Sequence, residues 1–381
     1  MNTGIENTPQ ENETLTTLER YHQRRDGCER FFLDNPPMQE IIEREDGAKI
    51  KVYSESWIIP DHLKKPESGK FRISLYVPGL FEMDKPNLGN HPLESKLMGA
   101  LLTGESDAVF VLKAEGMNSL AYKNAQGDPH GESLVSEAAA EVLERELAQL
   151  KKQLGLNDDI SVEFEVAGYS EGSTQGASIS EKIIEKGLGT VSAYTSIGGA
   201  GLVGAENQND ANVVRFVKNA WGKMRDVEFN LEKPWVVEGP DTFFVSKELI
   251  GDKKQGGYEY SLGKAEVSGI GDARNVGKWT ARYIGTLLGL GEQVPNERLQ
   301  AVSSINPDYE KLVESGVPLV VLSGTKEIFF PSDEVRSSVD KLREKGGRVL
   351  LITSNMGHDF PHNHPSGTAY TLAAFRQKVE I

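Results

Sequence analysis

The chain has 381 residues, a formal net charge of −15 and a single cysteine, Cys28. The acidic balance argues against a general electrostatic attraction to nucleic acid or anionic membranes, and one cysteine excludes an internal disulfide and a Cys-x-x-Cys metal or redox site. The length suits one large α/β domain or two ordinary ones.

Residues 1–37 are interpreted as a polar N-terminal arm. The first twenty, MNTGIENTPQENETLTTLER, lack the apolar stretch of a secretory signal peptide. No later run of apolar residues reaches the roughly 18 needed to span a bilayer. We therefore expect a soluble, cytoplasmic protein whose oligomeric state the sequence does not indicate.

Beyond the arm, the predicted strands and helices alternate. Residues 38–45 and 48–57 alternate in polarity and are joined by Asp46-Gly47, which predicts an antiparallel hairpin. Further strands are predicted at 71–77, 108–112, 162–167, 190–197, 318–322 and 348–353, and helices at 133–154, 177–186, 333–345 and 367–379. This alternation predicts an α/β fold with a mostly parallel central sheet and the antiparallel hairpin at its edge.

The alternation stops between residues 201 and 304. This segment contains predicted helices at 210–227 and 275–288 and a glycine-rich loop at 251–263. We interpret 201–304 as an inserted cap or lid over the strand ends, which divides the core into residues 38–200 and 305–381. Its aromatic residues either line a substrate pocket or form a small core of the insertion: Trp221, Trp235, Phe243, Phe244, Trp279 and Tyr283.

The most informative stretch is residues 161–176, SVEFEVAGYSEGSTQG. An apolar strand is followed by Gly168-Tyr169-Ser170-Glu171-Gly172 and then by a helix of small residues, which is the G-x-S-x-G pattern of a nucleophile elbow. Glycine is needed on both sides of the serine because a Cβ there would collide with the tightly folded chain. The alternative is a glycine-rich turn with an incidental serine.

Two later motifs complete a recognisable set. The predicted strand 318–322 leads to Glu327, and the predicted strand 348–353 leads to Gly357-His358. With Ser170 before them, these motifs follow the order nucleophile, acid, histidine, and over residues 38–381 the chain resembles the α/β-hydrolase superfamily.

The resemblance implies a catalytic triad of Ser170, Glu327 and His358. Glutamate stands at a place where aspartate is commoner in the family, so Asp333 and Asp359 are kept as alternative acids. In this arrangement His358 would take the proton from Ser170, and Glu327 would orient His358 and stabilise its protonated form.

The resemblance also implies an oxyanion hole formed by the backbone N–H groups of Glu171 and Leu80. Leu80 follows Pro78-Gly79 at the end of the third predicted strand, where many members carry His-Gly. A carboxylate beside a developing oxyanion would oppose it. The exception is a side chain that points into solvent, and we therefore assign only the backbone of Glu171 to the oxyanion hole.

The motifs together predict a serine hydrolase that cleaves a carboxylic ester or thioester through an acyl-enzyme on Ser170. The expected partner is a small-molecule ester, and neither a cofactor nor a metal is expected. An acyltransferase with the same triad and a non-catalytic binding protein of the same fold are the alternatives.

Two other patterns are weaker candidates for binding sites. His358, Asp359, His362 and His364 crowd together, but prolines interrupt any regular spacing and no known metal motif occurs. Residues 199–204 match G-x-G-x-x-G after a strand, yet a polar gap precedes the next predicted helix, which argues against a dinucleotide site.

Overall fold

A computed structural model describes most of the predicted core. The described residues are 37–60, 69–79, 106–122, 134–155, 160–203, 236–238, 243–244, 296–324, 327, 329–354 and 358, with the separate positions 23, 27, 30, 31 and 35. Several predictions lie outside these residues. They concern Leu80, Asp359, His362 and His364, the helices at 210–227, 275–288 and 367–379, the loop at 251–263, and the side chains of the insertion's aromatic residues.

Within the described residues, ten strands form one sheet in the order β1-β2-β4-β3-β5-β6-β9-β10-β7-β8. Their bounds are β1 Met38–Glu43, β2 Lys49–Ile58, β3 Lys70–Val77, β4 Ala108–Gly116, β5 Ser161–Tyr169, β6 Thr190–Ile197, β7 Val236–Glu238, β8 Phe243–Phe244, β9 Leu319–Gly324 and β10 Val349–Ser354. From β4 across to β10 every neighbouring pair is parallel. β1 and β2 form the antiparallel edge hairpin that the sequence predicts.

Five α-helices of the described chain cover or join these strands. Their bounds are α1 Leu134–Leu154, α2 Glu171–Glu185, α3 Asn296–Ser303, α4 Asp308–Glu314 and α5 Ser332–Glu344, and a short 3₁₀ helix spans Ser119–Tyr122. α1 packs on β2 and β4, α2 on β5 and β6, and α5 on β9 and β10. One apolar core joins these elements and includes Val142 of α1, Phe164 of β5 and Val335 of α5. No helix among the described residues is both long enough and apolar enough to cross a bilayer.

This strand order and connectivity give the chain the α/β-hydrolase fold, as the resemblance implies. The parallel strands all present their carboxyl ends at one edge of the sheet, which is where open α/β sheets place their sites. Ser170 directly follows β5, Glu327 lies three residues after β9, and His358 lies four residues after β10. The topology therefore brings three residues distant in sequence to one place.

Two features of the sheet differ from the sequence interpretation. β4 continues to Gly116, four residues beyond its predicted end at residue 112, because it stays paired with β2 to that point, and Lys113 and Glu115 are buried within it. Part of the segment interpreted as an inserted cap extends the sheet, since β7 pairs antiparallel with β10 and β8 with β7. The extent of a cap within 201–304 stays a prediction.

Candidate active site

The turn between β5 and α2 holds its serine in a strained backbone conformation. Ser170 has φ 53° and ψ −125°, and no other non-glycine residue of the described chain has a positive φ. Its N–H donates a 2.8 Å hydrogen bond to the carbonyl oxygen of Ile197 at the end of β6. Such a conformation costs about 1 to 3 kcal/mol and persists only where the surroundings enforce it.

The glycines on each side of Ser170 are required by contact with backbone atoms. A Cβ on Gly168 would lie 2.1 Å from the carbonyl oxygen of Gly172, and a Cβ on Gly172 would lie 2.0 Å from that of Val77. Real Cβ atoms essentially never come so close to another heavy atom. The elbow therefore depends on the absence of side chains at both positions, as the motif predicts.

The three side chains expected from the sequence form one hydrogen-bonded chain. His358 Nε2 lies 3.0 Å from Ser170 Oγ, and His358 Nδ1 lies 2.7 Å from Glu327 Oε2. Glu327 and His358 are buried, whereas Ser170 is partly exposed. Ser170 is thus in partial contact with solvent, while the two groups behind it are shielded from water.

Glu327 is held in place by its other oxygen. Oε1 accepts hydrogen bonds from the N–H groups of Phe329 at 2.9 Å and Phe330 at 3.4 Å, which leaves Oε2 for His358. The residues that follow Glu327 fold back towards its side chain, so that their N–H groups reach Oε1. Of the two alternative acids, Asp333 is exposed in the first turn of α5, and Asp359 is outside the described residues.

Aromatic rings surround His358. The ring centroid of Phe329 lies 4.9 Å from that of the imidazole, that of Tyr169 lies 5.2 Å away and that of Phe330 lies 5.6 Å away. Tyr169 also donates a 3.0 Å hydrogen bond from its hydroxyl to the carbonyl oxygen of His358. These contacts restrict the imidazole to the orientation in which its two nitrogens meet Ser170 and Glu327.

Glu171, the first of the two predicted oxyanion donors, is the first residue of α2. The first N–H groups of a helix have no partner within the helix and carry its positive dipole end, so the Glu171 N–H suits a developing negative charge. The other predicted donor, Leu80, is outside the described residues. The loop that leads to it begins against the elbow, because a Cβ on Gly172 would lie 2.5 Å from the carbonyl oxygen of Pro78.

The Glu171 side chain does not point into solvent, which is the condition under which the sequence argument accepts a carboxylate beside the oxyanion. The carboxylate is buried and accepts hydrogen bonds from Arg298 Nε at 2.6 Å and Nη2 at 2.9 Å, and from Lys113 Nζ at 2.5 Å. Burial alone would raise the pKa of Glu171, but the charges of Arg298 and Lys113 outweigh it and lower that pKa to about 2. The negative charge beside the elbow is therefore neutralised by paired cations instead of by solvent.

Sequence reasoning missed both partners of Glu171. Lys113 interrupts the apolar run of β4 and resembles a strand end, and Arg298 lies in α3 within the segment assigned to the insertion. One sequence feature could have indicated these partners. Side chains alternate between the two faces of a strand, so Lys113 and Glu115 lie on the same face of β4. Two charged residues on one face of a strand that is buried throughout require partners of opposite charge.

The glycines of the 199–204 pattern have a packing explanation. Gly199 has φ +79°, and a Cβ there would lie 2.7 Å from Val335 Cγ2 of α5. Gly201 also has φ +79°, and its Cβ would lie 2.9 Å from Thr174 Oγ1. Close approach to neighbouring elements therefore accounts for these two glycines, without a phosphate to bind.

The described residues contain no group of three or more histidine, cysteine, aspartate or glutamate side chains that could hold a metal ion. His362, His364 and Asp359, which the sequence places near His358, are outside that part of the chain.

Comparisons with known proteins add a likeness at the level of whole structures. No protein-family model and no curated protein matches the chain. Among solved structures, it is similar to an esterase from Pyrobaculum calidifontis, with a TM-score of 0.41 and 14% identity over 96% of this chain and 94% of that one. It is also similar to a thermostable carboxylesterase cloned from a metagenomic library, with the same TM-score and identity over 96% of this chain and 97% of that one.

A third similar structure is an esterase from Exiguobacterium antarcticum, with a TM-score of 0.40 and 12% identity over 89% of this chain and all of that one. At such TM-scores and identities, nothing about the substrate of this chain follows from these three proteins.

Proposed function

We propose that the protein is a serine hydrolase that cleaves a carboxylic ester or thioester through an acyl-enzyme on Ser170. The observation that carries the proposal is the continuous chain of hydrogen bonds from Ser170 Oγ through His358 to Glu327. A buried carboxylate, an imidazole and an accessible serine at these distances meet the geometric requirement of a nucleophile with its base and its orienting acid.

In the first half of the reaction, Ser170 Oγ attacks the carbonyl carbon of the ester as His358 Nε2 takes the hydroxyl proton. Glu327 keeps the other proton of the imidazole on Nδ1 and stabilises the positive charge that forms. The tetrahedral intermediate carries its charge on the former carbonyl oxygen, beside the N–H of Glu171. When the intermediate collapses, the C–O or C–S bond breaks and His358 returns its proton to the leaving alcohol or thiol.

The second half repeats these steps with water as the nucleophile. His358 removes a proton from water, the resulting hydroxide adds to the acyl carbon, and Ser170 leaves with the proton that His358 gives back. An acyltransferase would use an alcohol or a thiol in place of water at this point. Product analysis with and without an added acceptor distinguishes the two.

The elbow geometry supports the same proposal. The strained backbone of Ser170 lifts its hydroxyl above the end of β5, at the N-terminus of α2, where the dipole favours the oxyanion. Strain of this kind is found at sites where geometry matters more than stability. A serine without a catalytic role would not require this strained backbone conformation.

The test is turnover of p-nitrophenyl esters of increasing acyl length by the wild-type protein and by Ser170→Ala. We expect hydrolysis by the wild type, a loss of at least about 10³-fold in the variant, and a chain-length optimum that measures the acyl pocket. A folded wild-type protein with no turnover on any ester or thioester would favour the non-catalytic binding protein.

A further inference from the structure

Outside the triad, the most unusual feature of the described residues is a buried group of four charged side chains next to the elbow. It consists of Lys113 and Glu115 of β4, Glu171 of α2 and Arg298 of α3, which we call the buried charge cluster. Arg298 Nη2 lies 2.8 Å from Glu115 Oε1, and both Arg298 and Lys113 pair with Glu171. All four side chains are less than a tenth exposed.

The cluster is electrically balanced. Two positive side chains, Lys113 and Arg298, face two negative ones, Glu171 and Glu115, so the four charges sum to zero. A buried ion pair is costly to assemble and is no evidence for stability in itself. Apolar side chains of similar volume often fill such a space at equal or lower cost, so stability does not by itself account for the arrangement.

Lys113 also makes a contact outside the cluster. Besides Glu171, its ammonium donates a 3.0 Å hydrogen bond to the carbonyl oxygen of Pro78. Pro78 opens the loop after β3, and Glu171 is the first residue of α2. One buried ammonium therefore links the backbone of the loop after β3 to the side chain of the first residue of α2, and these are the two segments from which the oxyanion donors are proposed to come.

Arg298 fixes the other side of Glu171. Its guanidinium meets both carboxylate oxygens, which is the bidentate geometry that holds direction as well as distance. Arg298 belongs to α3, the described helix at the end of the segment interpreted as an insertion. The first turn of α2 is thereby held between β4 on one side and α3 on the other.

We propose that the buried charge cluster positions the oxyanion hole, with Lys113 setting the spacing between the Pro78 loop and the N-terminus of α2, and Arg298 setting the orientation of Glu171. Lys113, Arg298 and the Glu171 side chain are positioning residues, since they act through backbone groups and not on the substrate. The inference rests on the proposed function.

Two variants separate positioning from a purely electrostatic effect. Lys113→Met keeps much of the length of the side chain, removes one positive charge and leaves a net charge of −1 in the cluster. Glu171→Gln keeps the shape, removes one negative charge and leaves a net charge of +1. If the cluster acted only through its field on the oxyanion, the first would lower kcat and the second would raise it.

If the cluster positions the oxyanion hole, both variants should change kcat in the same direction. Each loses a charge-assisted hydrogen bond that holds a donor segment, so each should lower kcat about 10- to 100-fold with little change in KM, because the oxyanion forms only in the transition state. Affinity for an alkyl boronic acid, which forms a tetrahedral adduct with the serine, should fall by a similar factor. A merely structural loss would not divide between kcat and KM in this way.

Ser178→Ala is the matched control for stability. Ser178 is buried on the same helix α2, two turns beyond the elbow, and its hydroxyl bonds to Asp308. We expect this variant to lower the melting temperature and to leave kcat, KM and boronic acid affinity at the wild-type values.

The experiment compares p-nitrophenyl ester kinetics and boronic acid affinity for the wild type and these three variants, each checked for a cooperative thermal transition. A wild-type kcat in folded Lys113→Met, or an unchanged or raised kcat in Glu171→Gln, would overturn the proposal. If Lys113→Met does not fold, the direction of the change in kcat for Glu171→Gln decides between positioning and a field effect. An inactive wild type would overturn the proposed function, and the positioning role with it, before any variant is compared.

Discussion

The side chain of Tyr169 reaches across the site to the backbone of His358. Its hydroxyl donates a 3.0 Å hydrogen bond to the His358 carbonyl oxygen, and the two rings lie 5.2 Å apart. The residue before the nucleophile thus anchors the loop that carries the proposed base. Because Tyr169 is adjacent to Ser170 in sequence, this hydrogen bond also helps to fix the distance between Ser170 and His358.

Tyr169→Phe tests this anchor. The variant keeps the ring against the imidazole and removes one buried hydrogen bond, so we expect kcat to fall about two- to tenfold with KM unchanged. Steady-state kinetics with a p-nitrophenyl ester measure the effect. Tyr53→Phe, a buried tyrosine on β2, three positions from β5 in the sheet, is the control and should keep the wild-type kcat.

Gly172→Ala tests the tightness of the elbow. The new Cβ would lie 2.0 Å from the carbonyl oxygen of Val77, so either β3 or the first turn of α2 must move. We expect a loss of at least about 2 kcal/mol in the free energy of unfolding, measured by urea denaturation.

Gly155→Ala is the control for that variant. Gly155 has φ +61°, but an added Cβ would meet no atom of a neighbouring element within 4 Å, so only backbone strain of about 1 kcal/mol is expected. Equal losses for Gly155→Ala and Gly172→Ala would show that contact with the strand end is not what requires glycine at the elbow.

Glu327→Gln tests which carboxylate serves His358. The amide can present an N–H to Nδ1 and favour the wrong tautomer, so we expect kcat to fall about 10³- to 10⁴-fold. Asp333→Asn should keep the wild-type rate, because that side chain is exposed on α5. The reverse result in ester kinetics would reassign the acid to Asp333.

Asp308→Asn tests a pH dependence of stability outside the site. Asp308 is fully buried beside Ser178, and burial raises its pKa from 3.8 to about 6. Between about pH 4 and 6 the folded state binds more protons at this carboxyl than the unfolded chain does. The wild type therefore loses stability as the pH rises through this window.

The variant removes this titration. We expect Asp308→Asn to gain roughly 2 to 3 kcal/mol on the wild type between pH 4 and pH 7, measured as the free energy of unfolding in urea at each pH. Glu181, whose pKa burial raises to about 7, is present in both proteins and is mostly uncharged below pH 6, where most of the difference between them develops. Parallel stability curves over pH 4 to 7 would contradict the assignment.

The sequence predicts most strands and helices of the core, because apolar strand patterns and amphipathic helix patterns alternate regularly along the chain. The strand 190–197 matches β6 at both ends, and the helix 133–154 differs from α1 by one residue. Ser170, Glu327 and His358 are predictable because each follows a strand within a short motif. Their meeting in space then follows from parallel strands whose carboxyl ends share an edge.

The buried charge cluster cannot be predicted in the same way. A lysine in an apolar run usually marks solvent, so the pattern ends the strand before Lys113. Its partner Glu171 is 58 residues further along, and Arg298, which also pairs with Glu171, lies another 127 residues on. Pairing over such distances leaves no local pattern. The burial of the Glu171 side chain is unpredictable for the same reason, since its neighbours in sequence carry no positive charge.

The central claim is that Ser170 is an activated nucleophile. Its most direct test is to treat the wild type, Ser170→Ala and His358→Ala with a fluorophosphonate probe and to map the modified residue by peptide mass spectrometry. We predict a single stoichiometric adduct on Ser170 in the wild type, none in Ser170→Ala and strongly slowed labelling in His358→Ala. A folded wild type that stays unlabelled, or a label on a serine other than Ser170, would contradict the claim.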